Sequence, residues 1–307
     1  MSGSRALRWF GIAFGLVVFG FVLATLAGQW QALQFSWSDL AWPALGLSML
    51  FFVAAQALFA GAWHRLVSDA GESAELRGDV ARWCVSLAGK YLPGKVWQAV
   101  ARFGLYHGAQ RGRKVAPAFV RETCLSLSAA MALVAAHGWL DAAATGRLEL
   151  VLTLGSVLLL LLSLPGIALI VVGWLDRWTP FRVAIPAGGV GEMAVAWLMQ
   201  VSGYFLLGLG LVALARGLGI DQPGMGWPMI AGLSFAGLAG ITAFFVPAGI
   251  GVREAALVWY LSPIIGLAPA ALLAVAARIW ISLGEAALVG SGLLMLRDSN
   301  NAVTGNP

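Results

Sequence analysis

Charge is scarce in this 307-residue chain. Only 11% of its residues are Asp, Glu, Lys or Arg, against roughly 25% in soluble domains, which excludes an ordinary water-soluble globular fold. Its two cysteines, Cys84 and Cys124, are too few for a disulfide framework and form no CxxC pair. The histidines, His64, His107 and His137, stand far apart in sequence, without the spacing of a zinc site. No Walker motif is present, so ATP is not expected to drive an activity directly. What the chain does have is apolar surface: 60% hydrophobic residues and a mean hydropathy of +0.85. Fourteen Trp and fifteen Phe suit aromatic belts at two membrane interfaces. The net charge of +5 fits Lys and Arg retained in cytoplasmic loops rather than a nucleic-acid partner. The chain reads as an all-α integral membrane protein, with no cofactor or metal expected.

A helix needs about 20 apolar residues to cross the hydrocarbon core. By that measure spans fall at about 9–28, 40–64, 117–140, 148–174, 190–215 and 266–296. The first follows Arg5 and Arg8 but is longer than the roughly 7–15 residues of a cleavable signal core, so it reads as an uncleaved, peripheral first helix. The residues 148–174 read as a connecting helix, and 297–307 as a short cytoplasmic tail.

Two further apolar stretches, about 80–108 and 227–262, are interrupted near their centres. One contains Gly89-Lys90-Tyr91-Leu92-Pro93-Gly94-Lys95-Val96-Trp97, the other Phe245-Val246-Pro247-Ala248-Gly249-Ile250-Gly251-Val252-Arg253-Glu254. Proline removes a backbone donor and glycine has no helical preference, so Pro93, Gly94, Pro247, Gly249 and Gly251 should break these helices. Each half is too short to cross alone, which predicts two re-entrant helical hairpins. Broken backbone in lipid survives only where protein buries it or a polar cavity meets it.

Loop charges give an orientation. Arg5, Arg8, Arg65, Arg77, Arg82, Arg111, Arg113, Lys114, Arg177, Arg182 and Arg297 fall on one side, so both termini are expected in the cytoplasm. The first hairpin then enters from the cytoplasm and the second from outside. The units 40–140 and 190–296 become an inverted repeat, a plan recurrent in alternating-access carriers.

Ionisable groups inside the apolar stretches mark functional candidates by their cost. Arg278 lies roughly 18 Å into the last span at 1.5 Å per residue. Glu285 follows two turns along the same face, so the two read either as a buried ion pair or as a lining pair. Arg253 and Glu254 open the half-helix after the second break, where free N–H groups favour an anion; they read as a phosphate site or as a plain cap. Lys95 holds the matching place after the first break, with Lys90 and Arg102 nearby. Arg121 and Glu122 lie about one turn inside the third span, at the interface or on a cavity. Gln56 and Gln200, mid-span in corresponding helices, can line a pathway or join helices.

The first of these break motifs, the Arg121-Glu122 pair and the run Pro247-Ala248-Gly249-Ile250-Gly251-Val252-Arg253-Glu254-Ala255-Ala256 resemble the lysylphosphatidylglycerol synthase transmembrane-region family, a flippase-like domain. The resemblance covers about residues 10–296, with Pro-Ala-Gly where the family usually has Pro-Gly-Gly. With only Arg297–Pro307 after the last span, the expectation is a short form lacking the aminoacyl-transferase domain. The resemblance implies translocation of a lipid in a bacterial inner membrane, the head group being aminoacylated, glycosylated or polyprenyl-linked. The expected function is therefore a lipid translocator rather than an enzyme, its partner a membrane lipid, with homo-oligomers or a lipid-modifying enzyme as further partners. The expected head-group contacts are Lys95, Arg121, Glu122, Arg253, Glu254, Arg278 and Glu285. The alternatives are a non-transporting partner subunit of a cell-envelope lipid-modifying enzyme and an integral-membrane lipid transferase.

Overall fold

A computed structural model of the chain describes residues 17, 19–20, 22–24, 27, 40–69, 71, 75–92, 96–106, 109–140, 147–163, 189–243 and 246–304. Helix takes up 91% of the described residues and no strand occurs among them. Nine α-helices are described: α1 (Trp42–Asp69), α2 (Leu76–Ser86), α3 (Val96–Leu105), α4 (Ala109–Leu140), α5 (Arg147–Ser163), α6 (Val190–Gly217), α7 (Gly226–Thr242), α8 (Val252–Ile265) and α9 (Leu267–Thr304). Four are long and apolar enough to cross a membrane: α1, α6, the Val115–Leu140 part of α4 and the Leu267–Asp298 part of α9. These coincide with four of the expected spans. The stretch 9–28 lies largely outside the described residues, and Pro93, Gly94 and Lys95 lie wholly outside them; of 148–174 the part to Ser163 is helix α5, and 164–174 lie outside the described residues.

All four are set by scarcity of charge over their length, with Arg121 and Glu122 as the exceptions in α4. No charged residue occurs from Trp42 to Trp63 of α1 or from Met193 to Ala215 of α6, and Leu267–Leu296 of α9 holds only Arg278 and Glu285. One boundary differs from expectation. The chain does not leave the helix at residue 297; α9 continues to Thr304, because neither proline nor glycine intervenes between Leu293 and Thr304. The extension places Asp298 3.4 Å from Arg77 at the start of α2.

Both interrupted stretches are broken. After α2 the backbone tightens into a 3₁₀ turn at Leu87–Tyr91 and turns extended at Leu92 before α3 begins at Val96. After α7 a second 3₁₀ turn, Pro247–Gly249, leads through Ile250 and Gly251 into α8. This second break is left-handed at three of five residues: Ala248 (φ 50°), Gly249 (65°) and Gly251 (84°). A Cβ costs about 1–2 kcal/mol in that region, so Ala248 is a strained point held by its surroundings. In both cases the two arms fold back on each other, α2 against α3 and α7 against α8, and the two 3₁₀ turns touch.

The central seam joins α1 to α6, which run antiparallel: Leu45 meets Gly217, Ser48 meets Gly210, Phe59 meets Gly203 and Met199 meets Gly61. Gly203, Gly210 and Gly217 recur every seven residues, two turns apart on one face, and their missing side chains let the backbones close. Around this seam α4 lies on α7 and α9 lies on α2, while α3 packs on α4 and α8 on α9. The α6–α9 side of the core gathers Phe52, Leu211, Leu257, Leu273 and Trp280, and the α2–α4 side gathers Trp63, Leu66, Trp83, Tyr106 and Leu125.

A Cβ at position 203 would collide with the Phe59 ring, whereas one at Gly46 of α1 meets nothing within 4 Å. Gly203→Leu is expected to lower stability by about 1–3 kcal/mol through overpacking, and Gly46→Leu by less than about 0.5. Unfolding of the two purified variants in detergent, compared with the parent, measures both.

Candidate functional site

Where the two breaks meet the seam, the helices leave a cavity of about 370 Å³. Its wall draws on α1, α2, α3, α4, α6, α7, α8, α9 and the first 3₁₀ turn. Apolar groups such as Phe52, Phe59, Leu233 and Leu257 share that wall with Lys90, Arg102, Arg253, Arg278, Glu122, Glu254 and Glu285. So many ionisable groups in one apolar bundle demand compensation.

Compensation runs mostly from one element to another. Lys90 Nζ pairs with Glu285 Oε1, and Tyr91 Oη donates to Glu285 Oε2 at 2.6 Å. The last residues of the first 3₁₀ turn are thereby fixed to the middle of α9. Arg278, two turns earlier on α9, lies 5.9 Å from the centre of the Tyr91 ring and reaches the second break. It lies 3.6 Å from Glu254 Oε1 and donates to the Ala248 carbonyl at 3.4 Å, on the second break. Helix α9 thus serves both breaks, with a carboxylate for one and a guanidinium for the other. Arg278 and Glu285 do not pair with each other, although they share a helix face.

The second break caps itself in part. Glu254 Oε2 accepts the Gly251 N–H at 2.6 Å, so a carboxylate of the protein occupies part of the N-terminal position that suited a substrate anion. Arg253 has another environment. Its side chain crosses α7 at Gly240, where an added Cβ would strike its Cγ and Nε, and its buried Nε has no hydrogen-bond partner among the described residues. The phosphate-site and cap readings therefore divide: Glu254 caps, and Arg253 is uncommitted.

On the opposite flank Arg102 is locked. It pairs with Glu122 Oε2, donates from Nε to Ser86 Oγ at 2.9 Å, and faces the rings of Trp63 and Phe119 at 4.3 and 5.2 Å. Trp83 Nε1 donates to the remaining Glu122 oxygen at 2.9 Å. Both oxygens of Glu122 are thus engaged, and α3 is tied to α2 and α4. Just beyond, Asp79 is wholly buried, with His64, Tyr106 and Arg82 around it at 2.8, 2.8 and 3.4 Å. Burial and the Asp79 carboxylate push the Tyr106 phenol well up, so it stays a neutral donor.

Of the seven expected contact residues, Glu122, Arg253, Glu254, Arg278 and Glu285 face the one cavity. Arg121 does not. The helix turns it away from its neighbour Glu122, and it lies 3.4 Å from Asp69 at the end of α1. Lys95 is outside the described residues. Pro247, Gly249 and Gly251 sit in the second break as expected. Gln56 and Gln200 line the cavity, and so do Gln98, Ser126 and Tyr204, which the sequence reading passed over. Tyr204 Oη and Ser126 Oγ lie 2.8 Å apart; polar groups within otherwise apolar spans were the signal available for them. Among the described residues no group of three or more His, Cys, Asp and Glu forms a metal cluster. The chain matches no family model, no curated protein and no solved structure.

Removing one member of a buried ion pair leaves an uncompensated charge, whereas replacing both relieves it. Glu285→Ala, which strands Lys90 and Tyr91, is expected to cost about 3 kcal/mol. The double variant Lys90→Met/Glu285→Leu is expected to recover most of that loss, as read by chemical unfolding of the purified proteins.

Proposed function

We propose that the protein is a lipid translocator, a flippase-like carrier passing an anionic, aminoacylated or glycosylated head group across the membrane while the acyl chains stay in the bilayer. One observation carries the reading. Two broken hairpins bring charged side chains to a single amphipathic cavity of about 370 Å³. A head group with attached acyl chains needs both kinds of wall. A scaffold needs neither the cavity nor its charges, which are costly in an apolar bundle.

In this reading the chain has six spans and two re-entrant hairpins, arranged as the inverted repeats 40–140 and 190–296, with both termini in the cytoplasm of a bacterial inner membrane. Packing supports the repeat. The corresponding helices α1 and α6 run antiparallel. Exchanging the halves maps the α4–α7 contact onto the α9–α2 contact and the α3–α4 contact onto the α8–α9 contact. Helix α5, packed on α4, has no counterpart in this scheme and suits a connecting role. The break motifs that resemble the lysylphosphatidylglycerol synthase transmembrane-region family are also the ones around the cavity. The site residues bind rather than react, and movement of lipid runs downhill or on an ion gradient.

The test is lipid flipping by the purified full chain in liposomes, with head-group-labelled anionic, aminoacyl and glycosylated lipids. Wild type is expected to flip one class without ATP, and Arg278→Ala to reduce the rate at least about tenfold through loss of a charge-assisted contact. Full activity in Arg278→Ala would remove the proposed site. Turnover of a lipid into a new product would mark a transferase, and an inactive protein that still supports assembly of an envelope enzyme would mark a partner subunit.

Topology has its own readout. Fluorescent protein fused after Pro307 is expected to mature in the cytoplasm, and alkaline phosphatase inserted between Leu140 and Arg147 to be active outside. The reverse pattern would overturn the orientation.

A further inference from the structure

Among the described residues, charge does not balance in the cavity. Its described lining residues include four cations, Lys90, Arg102, Arg253 and Arg278, and three carboxylates, Glu122, Glu254 and Glu285. Each carboxylate is matched: Glu285 by Lys90, Glu122 by Arg102 and Glu254 by Arg278. Arg253 is left over. Among the described residues it has no ion pair or hydrogen bond, and its Nε is buried without a partner. Nor is it remote from the other cations, because it shares the cavity wall with Lys90 and Arg278. Like charges gathered in a low-dielectric space repel strongly.

The position of that guanidinium is built by the fold. Gly240 of α7 leaves the space the side chain crosses, and Gly249 of the second break packs on the Gly240 backbone with Arg253 Cγ beside it. Neutral donors face the same cavity: the Tyr204 and Ser126 hydroxyls and the amides of Gln98 and Gln200. A guanidinium fork with hydroxyl and amide donors around it is the donor set that phosphate oxygens accept.

Resting on the translocator reading, we infer that Arg253 is the anion subsite of the cavity and that the head group it takes is a phosphate of net negative charge. The ligand supplies the fourth negative charge that the described lining lacks. Aminoacylated lipids are disfavoured. Their added ammonium groups would enter beside Lys90, Arg253 and Arg278, while Glu254 and Glu285 are already engaged. The cavity thereby separates two lipid classes that the motif resemblance leaves together.

The experiment measures binding rather than transport, so it can fail independently of the translocator reading. Purified full-length protein in detergent is titrated with dioctanoyl-phosphatidylglycerol, its lysyl ester and dioctanoyl-phosphatidylcholine, followed by thermal shift and by native mass spectrometry. Phosphatidylglycerol is expected to bind at least about tenfold more tightly than the other two. Arg253→Gln is expected to lose that preference, and Arg253→Lys to keep part of it. Because Arg253→Gln removes an unmatched charge, its melting temperature without lipid is expected to equal or exceed that of wild type; a lower one would make Arg253 a structural cation and overturn the assignment. Equal binding of the lysyl ester, or unchanged phosphatidylglycerol binding in Arg253→Gln, would overturn it as well. Glycerol phosphate and inorganic phosphate serve as the lipid-free arm. If either bound as tightly as the lipid, the subsite would belong to a soluble phosphate and the lipid assignment would fall.

Discussion

Glu285 accepts hydrogen bonds from Lys90 and Tyr91, and the arrangement of the bundle follows from that junction. A helix that stops in apolar surroundings leaves carbonyls without partners and a chain that must turn without water. The first break meets this constraint by delivering an ammonium and a phenol to a carboxylate on α9. The same helix, two turns earlier, sends Arg278 to the carbonyl and carboxylate of the second break. With both breaks bound to one helix, their tips come together and a cavity opens beside them. Had Arg278 and Glu285 satisfied each other along α9, neither break would have had a partner there.

The two breaks are stabilised differently. The first is surrounded by side chains: Arg102 lies among Trp63, Phe119 and Glu122, and Trp83 closes the remaining oxygen. The second is shaped by backbone, with Ala248, Gly249 and Gly251 left-handed and Glu254 folded back onto Gly251. Helices α1 and α6 supply the rigid frame between them, because glycines at seven-residue spacing bring their backbones closer than leucines would allow.

Four long apolar helices and both breaks were legible in the sequence because their causes are local. A run without charge crosses, and a Pro-Gly cluster interrupts. The cavity lining was legible in part: Arg253, Glu254, Arg278 and Glu285 stood out as charges deep in apolar stretches, whereas Glu122, about one turn inside its span, read equally as an interfacial residue. Partnership was not legible. Arg278 and Glu285 share a face by spacing, yet each hydrogen-bonds to a different break, and Arg121 leaves its neighbour Glu122 for Asp69. These outcomes depend on which helix lies opposite, and periodicity within one helix does not specify that. The glycine stripe of α6 escaped for the same reason, since its meaning resides in the Phe59 and Leu45 side chains of α1.

Gly240 carries no functional group, yet it governs where one goes. The Arg253 side chain crosses α7 only because position 240 is bare. A single methyl there displaces the guanidinium without altering any ionisable residue. A survey of variants by residue chemistry would file such a change under helix packing, whereas its effect belongs with the arginines. In this bundle the position of a charge is encoded by an absent atom on a different helix.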